Sequence, residues 1–113
     1  MSILSSLLTR APVGAFANQL AQDIANRYPP TLDQQPAKRP SVNRLTRILE
    51  DTCKKATDFQ AQHHLGWIGK ALLGNKFRWA LNEMGYRKEF VSFATEALIV
   101  HISRKPGQQQ AKR

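Results

Sequence analysis

Trp79 stands apart from the other large side chains around it. Projected at about 100° per residue, Leu72, Leu73, Phe77, Ala80, Leu81 and Met84 share one side of a helix. Trp79 falls roughly 120° from the centre of that stripe, among Asn75, Arg78 and Asn82. An indole flanked by two amides and a guanidinium has the composition of a binding hot spot. The ring can stack on a base, and the guanidinium can neutralise a phosphate. Lys70 and Lys76 lie on the same helix, Arg87 and Lys88 in the following turn, and Arg104 and Lys105 in a basic tail. Gathered on one face, these cations would bind nucleic acid through its phosphates rather than its sequence. The competing expectation is that Trp79 packs under the N-terminal segment or against Trp67, because so short a chain needs its aromatics for the core.

Other chemistries fail on spacing. Cys53 and His64 are eleven residues apart, which on one helix separates them by roughly 16 Å. The adjacent His63 and His64 point about 100° apart and cannot converge on one ion. His101 has no further ligands nearby, so it reads as a histidine at the edge of the core with one ring nitrogen satisfied. No metal or other cofactor is expected. Cys53 lies on an apolar stripe, where a structural thiol is the usual outcome. No Gly-x-Ser-x-Gly occurs, and no carboxylate pair is placed for general acid–base work, so no enzymatic activity is expected. The run Gly66-Trp67-Ile68-Gly69-Lys70 has two residues between its glycines and is followed by Ala71. A phosphate-binding P-loop needs four residues there and then Ser or Thr. A Gly-x-x-Gly clamp on a nucleic-acid backbone is the nearer match, but no strands flank it. The plainer reading is a bend relieved by glycine, with Trp67 on the core.

These residues need elements to hold them, and proline punctuates the chain first. Four of six prolines fall between Pro29 and Pro40, in a segment with one sizeable aliphatic, Leu32. Proline fixes φ and biases the residue before it towards extended backbone, which predicts a linker over 29–40. Before it, residues 1–28 read as an amphipathic helical arm. Ile3, Leu4, Leu7 and Leu8 sit at helical spacing, and after Pro12 a second stripe runs through Val13, Phe16, Leu20, Ile24 and Tyr28. After the linker, a body over 41–103 opens at Ser41, a good N-cap. Its first helix reaches about Gln62 with the stripe Val42, Leu45, Ile48, Leu49, Cys53, Ala56 and Phe59. The other face alternates in sign, and Glu50–Lys54 and Asp51–Lys55 have the favoured i,i+4 orientation. The next helix spans about Lys70–Met84 and ends at Gly85. The last spans about Lys88–Ser103, and its wide apolar face predicts the most buried helix. Its β-branched run Ile99-Val100-His101-Ile102 leaves a strand as the lesser option there. Residues 104–113 read as a disordered basic tail. Leu45, Leu49, Phe59, Phe77, Leu81, Phe90, Ala94 and Leu98 are the expected core. The last two helices could be a helix-turn-helix with Arg87, Lys88, Ser92 and Thr95 in a groove. Glu89 and Glu96 on the same strip would repel phosphates, so a plain αα-hairpin is preferred.

The fold class is therefore all-α: three to four helices with an N-terminal arm and a basic tail. The 113 residues carry 17 Lys and Arg against 8 Asp and Glu, a formal net charge of +9. One cysteine excludes a disulfide scaffold, and no stretch approaches the roughly 18 apolar residues of a membrane span. A lone buried cysteine suits a reducing compartment, so a cytoplasmic location is expected. The leading function is a small accessory protein that binds RNA or DNA through phosphate contacts. The alternative is a helical adaptor or assembly subunit, which would dock the arm and the Trp79 face on a second copy, another protein or an acidic protein surface. Peripheral membrane contact through residues 1–21, which contain no carboxylate, is a third possibility.

Overall fold

The structure, a computed structural model, describes residues 13–103. Expectations for the stripe Ile3–Leu8 and for the tail, including Arg104 and Lys105, lie outside the described residues. Five α-helices follow one another: α1 (Val13–Arg27), α2 (Pro30–Asp33), α3 (Val42–His63), α4 (Trp67–Met84) and α5 (Lys88–Ser103), with a 3₁₀ turn at Pro36–Lys38 before α3. No strand occurs among the described residues, and the β-branched run Ile99–Ile102 is helical. Local chemistry sets the boundaries. The Ser41 Oγ accepts the Arg44 amide at 3.2 Å and caps α3. The last turn of α3 closes at His64, which is left-handed at φ 53°, and its amide donates to the Gln60 carbonyl. Gly85 closes α4 at φ 98°, a conformation that costs glycine little.

The bundle pairs α1 with α4 and α3, α4 with α5, and α3 with α5. Its core takes Leu20 and Ile24 from α1, Tyr28 just after it, Ile48, Cys53 and Phe59 from α3, Leu73, Phe77 and Leu81 from α4, and Phe90, Ala94, Leu98 and Ile102 from α5. Every expected core residue is buried except Leu45, which is half-buried against the cluster.

Several expectations are corrected. Residues 13–28 are not an arm apart from the body: Ala17, Leu20, Ala21, Ile24 and Tyr28 are completely buried against the other helices. The stripes of 41–103 cannot cover one another without α1. The segment 29–40 is not an extended linker either. Pro30 starts a short helix, where its missing N–H is harmless, and Asp33 at that helix's end is fully buried. Trp67 does not pack on the core; α4 begins at Trp67 and carries it into solvent. Nor is α5 buried all round, since Phe93, Ile99 and Val100 are exposed. Finally, the Asp51 carboxylate accepts from Arg27 at 2.8 Å, and Lys55 donates to Asp23 at 2.9 Å. The Asp51–Lys55 pair expected within α3 is replaced by these two bridges to α1, which lies alongside that face, and Glu50–Lys54 does not form.

Candidate nucleic-acid interface

Antiparallel packing of α4 on α5 leaves a groove between them. At Gly74 a Cβ would stand 2.8 Å from the Ile99 Cδ1 methyl, the end of a flexible and exposed side chain. The groove has a volume of about 390 Å³ and is lined by Ala71, Gly74, Asn75, Arg78, Ser92, Thr95, Glu96 and Ile99. It continues towards the α4–α5 turn as a smaller cleft of about 210 Å³, lined by Arg78, Asn82, Lys88, Val91 and Ser92. Arg78 and Ser92 border both. The Thr95 hydroxyl is buried beside the groove with no hydrogen-bond partner.

The cleft brings together three residues proposed from sequence: Arg78, Asn82 and Lys88. Neither cation has a carboxylate within salt-bridge distance among the described residues. Asn75 lines the wider part of the groove. Trp79 sits on the ridge beside it, 59% exposed, and so does not pack under α1 or against Trp67. Lys76 is exposed on the far flank of that ridge, roughly 60° round the helix from Trp79. A guanidinium, an ammonium, an amide and a hydroxyl thus share one concavity beside a free indole. Donors of this kind suit phosphate oxygens, and the ring suits a base face.

Other sequence candidates do not join. Lys70 is half-buried in the first turn of α4, eight residues and roughly 12 Å from Arg78 along the axis. Arg87 is corrected outright, because it is engaged elsewhere. Its amide donates to the Asp33 Oδ2 at 2.7 Å, and its guanidinium donates to Oδ1 at 3.0 and 3.1 Å and to the Asp33 carbonyl at 3.1 Å. The Tyr28 hydroxyl donates to the same Oδ1 at 2.5 Å, and the Tyr86 hydroxyl donates to the Tyr28 carbonyl. Arg39 and Gln34 add bonds to the Asp33 and Gly85 carbonyls. Burial pushes the Asp33 carboxyl up, but the hydrogen bonds from Tyr28 and Arg87 outweigh it and hold the group below the ordinary carboxylate range. Burial likewise pushes the Tyr28 phenol up to about 12, with Asp33 adding to the shift. This cluster was missed by sequence reasoning. Its one signal was that Asp33 is the lone carboxylate between Asp23 and Glu50, set among prolines. It ties residues 29–40 to the α4–α5 turn and so fixes the mouth of the cleft.

No metal-ligating group of three or more His, Cys, Asp or Glu occurs among the described residues. His101 Nδ1 lies 2.9 Å from the Ala97 carbonyl, the satisfied ring nitrogen read from sequence. Cys53 is buried, and desolvation pushes its thiol up to about 11. Comparison with known proteins finds no matching family model, no similar curated protein and no matching solved structure.

Proposed function

We propose that the outer face of the α4–α5 hairpin binds single-stranded nucleic acid. Phosphates would sit at Arg78 and Lys88, assisted by Asn82 and Ser92, while a base stacks on Trp79. The observation that carries this reading is the cleft itself, where two cations without carboxylate partners converge beside an exposed tryptophan. Glu89 and Glu96 are exposed on α5, and Glu96 lines the groove. Their repulsion of phosphates leaves base stacking on Trp79 a larger share of the affinity, and stacking needs the free base face of a single strand.

Titration of labelled single-stranded RNA tests this. With Arg78 and Lys88 as phosphate contacts, log affinity should fall against log salt with a slope of about −1.4. Trp79→Ala should weaken single-strand binding by roughly 1–3 kcal/mol. Arg78→Ala should weaken single-strand and duplex binding alike. Failure to bind at low salt, or binding indifferent to both changes, refutes the proposal.

The adaptor reading keeps one specific support, Phe93, which is 56% exposed on α5. Under it, Trp79→Ala abolishes co-purification with a protein partner while RNA affinity stays low and unchanged.

A further inference from the structure

Phosphate binding leaves the Glu96 carboxylate unexplained. Glu96 lines the wider part of the groove with Asn75, Arg78, Ser92 and Thr95, where it can only repel a phosphate. Among the described residues it makes no ion pair, and Arg78 in the same groove stands beyond salt-bridge distance from it. Nor does the side chain of Asn75, Ser92 or Glu96 hydrogen-bond to any other described residue. A further unmet group lies beside them. Thr95 is 8% exposed, and its hydroxyl is the one buried side-chain polar atom without a partner among the described residues. Folded proteins keep few such groups, because each forfeits its hydrogen bonds to water.

These groups follow an order along the groove. Gly74 meets Ile99 at one end, and Arg78 and Ser92 stand where the groove passes into the smaller cleft. Asn75 lies three residues from Arg78, roughly 4.5 Å along α4, and Thr95 and Glu96 lie about one turn from Ser92 along α5. A cation therefore stands at the mouth. An amide, a hydroxyl and a carboxylate come next, and the far end at Ala71, Gly74 and Ile99 is apolar. The volume of about 390 Å³ falls in the range of pockets that hold small organic molecules. Trp79 is on the ridge outside this lining, so a base stacked on it and a base in the groove would be neighbours on one strand.

We infer that the groove reads a guanine of the bound strand, with Glu96 accepting from its ring N1–H and its exocyclic amino group and Asn75 donating to its O6. The inference rests on the single-strand reading above and adds to it the identity of one base. The carboxylate decides, because it offers acceptors only. Guanine alone among the four bases presents two adjacent N–H donors on its pairing edge. Adenine and cytosine present one amino group beside a ring nitrogen lone pair, and uracil presents one N–H between two carbonyls. Each of those sets a lone pair against Glu96. Asn75 by itself would suit adenine, to which an amide both donates and accepts, but Glu96 would then face that lone pair. The Thr95 hydroxyl gains its missing partner at O6 by turning between the two χ1 rotamers that helical threonines populate.

The test uses the full chain and labelled single-stranded RNA: a short uridine tract, and the same tract with one central guanosine, adenosine or inosine. At low salt the guanosine tract should bind about tenfold more tightly than the uridine tract. Inosine, which lacks the exocyclic amino group, should lose most of that gain. Glu96→Gln should erase the guanosine preference and, by removing a charge that repels phosphates, strengthen binding of the uridine tract. Thr95→Val should reduce the guanosine gain with an unchanged circular dichroism spectrum. Equal binding of all four tracts overturns the inference and leaves the phosphate and stacking reading standing, whereas no binding of any tract at low salt overturns both. A preference for adenosine, or a guanosine preference that survives Glu96→Gln, also overturns it, because Glu96 would then not be reading the base.

Discussion

Asp33 is the residue on which most of the buried polar chemistry depends. It accepts from the Tyr28 hydroxyl, the Arg87 amide and the Arg87 guanidinium while being fully buried. Asp33→Ala would leave a partly buried guanidinium and a buried phenol without their acceptor. We expect a loss on the order of 3 kcal/mol in denaturant unfolding. The pH dependence follows from the lowered carboxyl. A group depressed in the folded state stabilises fully above its ordinary value of 3.8, and that contribution disappears as pH falls through the still lower folded value. Asp23, lowered chiefly by its hydrogen bond from Lys55, adds in the same direction. Stability should therefore decline in acid below about pH 4, and less steeply in Asp33→Asn, which chemical denaturation across that range will show. Cys53 offers a second check at this scale. Buried and with its thiol pushed up to about 11, it should resist alkylation at neutral pH until the chain unfolds.

Among the elements, α1 departs most from its expected role. A proline-rich stretch behind it reads as a hinge, yet the stretch is pinned by Asp33 and α1 fills the groove between α3 and α4. A chain beginning at Ser41 should therefore lose its cooperative thermal transition in circular dichroism. Four completely buried residues on α1, with Tyr28 just after it, would have to be replaced by water contact on the helices they cover. Leu20→Ala, a milder form of the same change, should cost roughly 2–5 kcal/mol. On α5, Phe90 is buried and packs edge-on against Tyr28 at 5.2 Å. Phe90→Ala should cost on the order of 3–5 kcal/mol, and a variant as stable as the parent would mean the packing is wrong. Where α4 meets α5, Gly74 faces the Ile99 side chain. Gly74→Leu should force Ile99 aside and destabilise the hairpin in denaturant unfolding, because branched bulk cannot share the space of a single hydrogen.

Across the whole molecule, charge and apolar surface are unevenly distributed. The α4–α5 turn carries the cleft with Arg78 and Lys88, beside the acids Asp33 and Glu89. The opposite end has no acid and exposes Trp67 and Ile68. The two surfaces should therefore respond separately. Arg78→Ala should weaken RNA binding, whereas Trp67→Glu, at the other end of α4, should leave it unchanged. Titrating RNA against both variants checks the separation directly.

The all-α class, the bounds of α5, the Ser41 cap and the Gly85 stop were legible in the sequence, because each depends on residues within a turn or two of one another. Helical periodicity set Trp79 off the apolar stripe for the same reason, but whether it packed elsewhere stayed open until the structure showed it exposed. Three things were not legible, and each depends on contacts distant along the chain. Proline content reports local stiffness, and nothing local shows that Asp33 will meet Arg87 fifty-four residues later. Apolar stripes say that a face must be covered without saying by which helix, so α1 read as an arm when it is core. Arg87 counted as a free cation until Asp33 neutralised it. Sequence determined the helices and the faces they must bury; only the tertiary structure decided which faces cover one another and which charges and aromatics remain for a partner.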